Sequence, residues 1–171
     1  WIVVGAGTGG TSATIGRYIR YRRDALATTH LAVVDPQCSV FFDAFAQGRR
    51  DLTSTERGRI EGIGRPRVEP SFIPSLIDRM VEVRDGDSLA AMHALSDLLG
   101  RRVGPSTGTN LVAMLELAQE MKARGESGAL LSLLCDSGER YRQTYFDPAW
   151  ALQRFGDTAP ALAQVRAHLL G

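Results

Sequence analysis

Trp1-Ile2-Val3-Val4-Gly5-Ala6-Gly7-Thr8-Gly9-Gly10-Thr11 opens the chain, and the rest of the sequence is read outward from it. An apolar strand runs directly into a glycine turn, and a helical segment follows. Glycine lets the backbone take positive φ and pass close to a ligand. Several backbone N–H groups then converge at a helix N-terminus, where an anion is favoured, most often a phosphate. Thr8 and Thr11 add hydroxyl donors beside them.

The chain has 171 residues, which predicts one domain. With 44% hydrophobic and 23% charged residues it has the composition of an ordinary globular protein. A formal net charge of +1 gives no reason to expect nucleic acid or an anionic membrane as a partner. No apolar run is long enough to span a bilayer, and no signal-peptide pattern is present. Cys38 and Cys135 form neither a disulfide framework nor a zinc-ligand spacing, so a reducing cytoplasm is the expected compartment. Because Trp1 already lies inside an apolar strand, the chain is expected to be part of a longer protein.

The pattern predicts strands over 1–5, 30–36, 80–83 and 129–135, the first, second and last of them buried. Helices are expected over 9–24, 38–46 and 71–78. Another follows from Asp87 or Ser88 as cap, and one more follows the small-residue turn 104–110. On that last helix Leu111, Met114, Leu115, Ala118 and Met121 read as the apolar face. Short helices are expected around 147–154 and 160–169. Residues 48–70 read as a long polar loop, and Arg59-Ile60-Glu61-Gly62-Ile63-Gly64-Arg65-Pro66 within it fits no regular element. Alternating strands and helices give an α/β fold, three layers around a mostly parallel sheet.

Ligands of open parallel sheets bind at the carboxyl ends of the strands. Three glycine-containing turns fall there: 5–11, 104–108 and 136–140. The first supports two readings. Gly5-x-Gly7-x-x-Gly10 satisfies the dinucleotide fingerprint, and Asp35 ends the next strand about where a ribose-binding carboxylate belongs. On this alternative the chain is a Rossmann dinucleotide-binding domain; Asp35 is otherwise an ordinary strand-end residue. In the second turn Ser106 or Thr107 either caps the next helix or aims a hydroxyl at a ligand. Cys135 reads as a small buried hydrophobe, and His93 as a surface or partly buried residue. There is no nucleophile elbow, zinc cluster or Walker lysine.

Four segments taken in order resemble the cysteine synthase and cystathionine β-synthase family of pyridoxal-phosphate enzymes. They are Gly7-Thr8-Gly9-Gly10-Thr11, Glu61-Gly62-Ile63-Gly64, Gly104-Pro105-Ser106-Thr107-Gly108 and Asp136-Ser137-Gly138-Glu139-Arg140-Tyr141. The likeness spans about residues 1–145 and corresponds to the carboxyl-terminal half of the family. Within it, residues 59–66 and the 104–110 turn look most like actinobacterial proteins described as cysteine synthase-like or as L-cysteine desulfhydrases. The resemblance implies the tryptophan-synthase-β fold, pyridoxal 5'-phosphate as cofactor, an amino-acid substrate and a homodimeric full-length enzyme. It implies that Gly7, Thr8, Gly9, Gly10 and Thr11 cradle the cofactor's phosphate and that Ser106 bonds the pyridine nitrogen. Gly62–Gly64 would then cover the pocket, and Asp136–Ser137 would close it behind the ring.

One element of the family is missing. The only lysine is Lys122, inside a helix and outside every matching motif. The resemblance therefore places the lysine that forms a Schiff base with the cofactor upstream of Trp1, together with the substrate-carboxylate loop. The expected whole is a partial domain, 1–171, inactive alone, from an enzyme that eliminates the β-substituent of cysteine or of an activated serine. Release of sulfide, pyruvate and ammonia from cysteine is the preferred activity, and cysteine synthesis from O-acetylserine the alternative. A remnant that only packs against a partner chain is a third reading.

Overall fold

The computed structural model describes residues 1–170. Strands β1 (Ile2–Gly5), β2 (Leu31–Pro36), β3 (Arg79–Val83) and β4 (Leu131–Ser132) form one parallel sheet in the order β3-β2-β1-β4. Ile2 to Gly5 stand opposite Leu31 to Val34, and Ile2 and Val3 also pair with Leu131 and Ser132. Helix α1 (Gly10–Tyr21) and the short α2 (Arg23–Leu26) connect β1 to β2. Helix α3 (Phe41–Gln47) follows β2, while α4 (Asp85–Leu99) and α5 (Pro105–Ala123) carry the chain from β3 to β4. Helices α6 (Pro148–Phe155) and α7 (Ala159–Leu170) complete it.

The strands are apolar on both faces because both faces are covered. Val4, Leu31, Val33 and Met80 pack against Ile19, Phe41, Phe72 and Ile77. Their alternate neighbours Val3, Ala32, Val34, Val81 and Val83 pack against Ala113 and Leu117 of α5. This alternation is the period-two geometry of a strand. Beyond α5, Ala91 and Ala94 of α4, Leu111 of α5 and Val165 of α7 form a further apolar layer. Because α5 lies between the sheet and this layer, its buried positions run round to Ala113 and Leu117, while Ala118, read as part of the apolar face, is exposed.

Several elements differ from their sequence-based expectation. The 9–24 helix breaks at Arg22, whose backbone leaves the helical region. Residues 71–78 form only a 3-10 turn at Pro74–Leu76, because Phe72 is drawn into the core to stack on Phe41 at 4.3 Å. Helix α4 starts at Asp85 with no side-chain cap, and Asp87 pairs with Arg84 instead. The 104–110 turn is largely the first turns of α5. Most notably, the fourth strand is neither long nor buried. It pairs through two residues and leaves Leu131, Leu133 and Leu134 at least 49% exposed, since β4 is an edge of the sheet with no neighbour beyond it. Residues 48–70 are a loop, as the composition predicts, with one isolated bridge from Thr53 to Arg67.

Asp35 lies inside the protein, wholly buried, with Oδ2 accepting from the Phe42 N–H at 2.8 Å and Oδ1 unpartnered. It caps the approach to α3 from within and presents no oxygen to a ribose at the surface, so the dinucleotide reading loses its carboxylate. Burial raises its pKa to about 7, against the lowering effect of the Ser39 and Phe42 hydrogen bonds. Between its ordinary value and about 7 the folded chain keeps a proton that the unfolded chain has released, so stability falls as pH rises through that window. Asp35→Asn keeps an acceptor for Phe42 and removes the charge. It is expected to raise unfolding stability at pH 8 by on the order of a few kcal/mol and to change it little near pH 4, as measured by denaturant titration at both pH values.

Candidate active site

In the strand order β3-β2-β1-β4, the chain leaves β1 toward β2 on one side, while β4 lies on the other. A crevice opens at the carboxyl ends of two such strands. A cavity of about 420 Å³ lies there, lined by the Gly5–Ser12 backbone, Gly62, Ile63, Ser106, Cys135 and Asp136 among others. All three turns singled out in the sequence thus contribute to one pocket, of a size usual for small-molecule sites.

The Gly5–Thr11 turn is fixed by close approach of other backbone. Gly9 sits at φ +90°, and a Cβ there would stand 2.6 Å from the Phe72 Cα. A Cβ on Gly7 would stand 2.7 Å from the Gly62 carbonyl oxygen. Hydrogen bonds hold the same segments together: Gly64 N–H donates to Ala6 O at 2.8 Å, and Ser71 Oγ donates to Thr8 O at 2.7 Å. The first hydrogen bond within α1 runs from Ala13 N–H to Gly9 O. The N–H groups of Gly10, Thr11 and Ser12 therefore precede the helical ladder and lie at the cavity. The Thr8 and Thr11 side chains are exposed beside them.

The second turn supplies one hydroxyl to the cavity. Thr107 Oγ1 is held by the Cys135 N–H at 3.0 Å, and Thr109 Oγ1 donates to Ser88 Oγ at 2.9 Å. Of these three neighbouring hydroxyl residues, only Ser106 lines the cavity. The third turn is tied to the second by Gly104 N–H donating to Asp136 O at 3.0 Å. A Cβ at Gly104 would collide with Asp136 Oδ1, so the carboxylate occupies the space a side chain would take. Asp136 Oδ2 accepts from the Tyr141 hydroxyl at 2.6 Å, and Asp136 Oδ1 is buried without a partner. Ser137 caps the 3-10 turn Gly138–Tyr141 and does not reach the cavity wall. Cys135 is exposed and lines the cavity, contrary to its reading as a core residue, because its strand is an edge.

Tyr145 is a residue the sequence did not single out. It is 2% exposed, and its hydroxyl donates to Arg59 O at 2.5 Å and accepts from Glu61 N–H at 3.1 Å. These bonds cross 86 and 84 residues and fix the irregular segment immediately before Gly62 and Ile63. Trp150, Phe155 and Tyr141 surround the ring. Burial pushes the phenol up to about 12, so it stays a neutral donor. His93 lies behind this cluster, with Nε2 3.1 Å from Tyr145 O, and burial lowers its pKa. It is outside the cavity. An aromatic-rich tail was the sole signal in the sequence.

Lys122 is exposed in the last turn of α5, and Ser106 in the first. At the helical rise that separates them by roughly 24 Å, so Lys122 takes no part in the cavity.

The profile of the family described as "Pyridoxal-phosphate dependent enzyme" matches residues 1–136. The chain is 58% identical over 166 residues to L-cysteine desulfhydrase Cds1 of Mycobacterium tuberculosis, covering 96% of this chain and 44% of that protein. It is 33% identical over 156 residues to cysteine synthase 2 of Neurospora crassa, covering 84% of this chain and 33% of that protein. Among solved structures, a hydrogen sulfide-producing enzyme superposes with TM-score 0.68 at 25% identity, over 86% of this chain and 40% of that one. O-ureido-L-serine synthase superposes with TM-score 0.71 at 24% identity, over 86% and 42% of the two chains, and supports the fold alone. The chain thus spans less than half the length of these relatives. They match the cysteine synthase-like resemblance and lend the dinucleotide alternative no support.

Tyr145→Phe removes both hydroxyl bonds and leaves the ring packing. It is expected to lower stability by about 1–3 kcal/mol and to speed amide hydrogen exchange across 59–63 while leaving β1 and β2 protected. Exchange mass spectrometry on wild type and variant measures both.

Proposed function

The chain belongs to the pyridoxal-phosphate-dependent enzyme family, and from that premise we propose that it is the cofactor-binding portion of an enzyme that cleaves the carbon–sulfur bond of L-cysteine. The overall reaction takes cysteine and water to hydrogen sulfide, pyruvate and ammonia. What supports cysteine as substrate is the 58% identity to an L-cysteine desulfhydrase over nearly the whole chain. The likeness to cysteine synthases supports the second reading, replacement of the acetoxy group of O-acetylserine by sulfide.

The cavity fits pyridoxal 5'-phosphate. Gly7, Thr8, Gly9, Gly10 and Thr11 form a turn whose shape depends on Gly7 and Gly9 having no Cβ, because the Gly62 carbonyl and the Phe72 backbone stand where one would go, and it carries no carboxylate and has free N–H groups at the start of α1. In this reading the cradle binds the phosphate. Ser106, the one hydroxyl of its turn left to the cavity, meets the ring nitrogen. When bound, the cofactor supplies an electron sink for the bonds at the substrate α-carbon. Ser106 offers that ring a neutral partner. Unlike a carboxylate it does not hold the nitrogen protonated, which moderates the sink and favours loss of the β-substituent over side reactions at the α-carbon. Gly62, Ile63 and Asp136 line the same cavity, and in this reading Gly62 and Ile63 lie over the cofactor and Asp136 behind its ring.

Proton abstraction belongs to a lysine, and Lys122 is too remote to be that group. We assign the catalytic lysine to a part of the enzyme outside these 171 residues, so that residues 1–171 form a partial, carboxyl-terminal cofactor-binding domain. The full enzyme acts as a homodimer in the cytoplasm, where Cys38 and Cys135 stay reduced. No helix among the described residues is long and apolar enough to cross a membrane.

Two measurements on the full-length enzyme test this reading. Sulfide released from cysteine should exceed cysteine formed from O-acetylserine and sulfide; the reverse ratio assigns the synthase activity. Gly9→Ala, which drives a methyl into the Phe72 backbone from a left-handed conformation, should weaken cofactor binding by at least tenfold in equilibrium dialysis, and unchanged binding removes the phosphate cradle.

A further inference from the structure

Arg65 stands beside the glycine turn without an evident task. It is half-buried, and its backbone is held on both sides: Arg65 N–H donates to Ser39 Oγ at 3.0 Å, and Val40 N–H donates to Arg65 O at 3.0 Å. The preceding Gly64 N–H is bonded to Ala6 O within the turn itself. The guanidinium is aimed by one hydrogen bond, Nη1 to Gly64 O at 2.7 Å, and forms no ion pair with a carboxylate among the described residues. Nη2 lies 3.8 Å from the place a Gly7 Cβ would take. Arg65 lines a neighbouring cavity of about 330 Å³ with Cys38, Ser39, Glu56 and Gly64, and it stands behind Gly7 and outside the lining of the cavity at the glycine turn. A long, charged side chain is costly to hold half out of water without a counter-ion. The nearby turn offers the opposite deficit: N–H groups and hydroxyls that favour an anion, and no formal positive charge of their own.

We propose that Arg65 supplies the formal positive charge for the anion held on the Gly7–Thr11 loop, so that the loop selects a phosphate monoester over the same ring without its phosphate. This inference rests on the cofactor reading above. Backbone N–H groups carry only partial charges, and a guanidinium adds a full one in a partly desolvated setting where it is weakly screened. The backbone contacts of Gly64 and Arg65, with the Nη1 bond to Gly64 O, hold the cation behind Gly7 before any ligand arrives, which limits reorganisation on binding.

The test compares pyridoxal 5'-phosphate with pyridoxal on the full-length enzyme. Arg65→Gln keeps a donor for Gly64 O and removes the charge, while Arg65→Lys keeps the charge. Dissociation constants come from equilibrium dialysis, and the titration of the bound phosphate from its phosphorus-31 resonance. Arg65→Gln should weaken the phosphorylated ligand on the order of tenfold or more, leave pyridoxal within about twofold, and raise the pH at which the phosphate loses its second proton. Arg65→Lys should lie between wild type and Arg65→Gln. Equal weakening of both ligands means a merely structural residue and overturns the proposal. So does a higher KM for cysteine with unchanged cofactor affinity, which would assign Arg65 to the substrate carboxylate. If the wild-type enzyme itself fails to prefer the phosphorylated ligand, the phosphate cradle is what falls; if it discriminates and Arg65→Gln discriminates equally, only the role of Arg65 does.

Discussion

Everything at the site depends on how closely the backbone of residues 5–11 is approached by the backbone of residues 62–72. Gly62 O presses on Gly7, and Phe72 presses on Gly9, at distances that leave no room for a β-carbon. This contact shapes the cradle, starts α1 at the right place and docks the irregular loop on the sheet. It is not bought with apolar area, since glycine has none to bury. The hydrophobic layers on both faces of β1 and β2 supply the stability, and the glycine contact spends none of it on side-chain packing.

The fold was legible from the sequence wherever a segment's environment was local and two-sided. β1, β2 and β3 read correctly because strands covered on both faces are apolar throughout. The three glycine turns do line one cavity, but the 104–108 segment lies between α4 and α5 and not at a strand end, where the sequence placed it. The other failures have one cause in common, a partner distant in sequence. Residues 71–78 were drawn out of a helix by the stacking of Phe72 on Phe41. Ala129–Cys135 carries the composition of a central strand and forms an edge, because strand composition does not encode how many neighbours a strand has. Asp35 sat at the right offset for a ribose and is turned inward to Phe42, a difference no spacing rule records.

The roof of the site was legible as a motif and illegible as a structure. Glu61-Gly62-Ile63-Gly64 belongs to no regular element, and at one end it is fixed by partners distant in sequence, Gly64 to Ala6 and Arg65 to Ser39. At the other end the fixing group is a phenol from the tail. The tail also pins the far wall through Tyr141 and Asp136. Two tyrosines in edge-to-face contact at 5.2 Å therefore hold the roof and the wall of one cavity from outside it.

That arrangement has a temporal side. The cradle occupies residues 5–11 and its clamp is residue 145, so a ribosome must add 134 further residues after Thr11 before Tyr145 exists. At ordinary elongation rates this takes roughly 7–27 s. From residue 61 onward the segment that covers the turn exists without the hydroxyl that fixes it. A nascent chain thus carries the sequence of the glycine turn and of its cover well before it carries the residue that ties the cover to the tail.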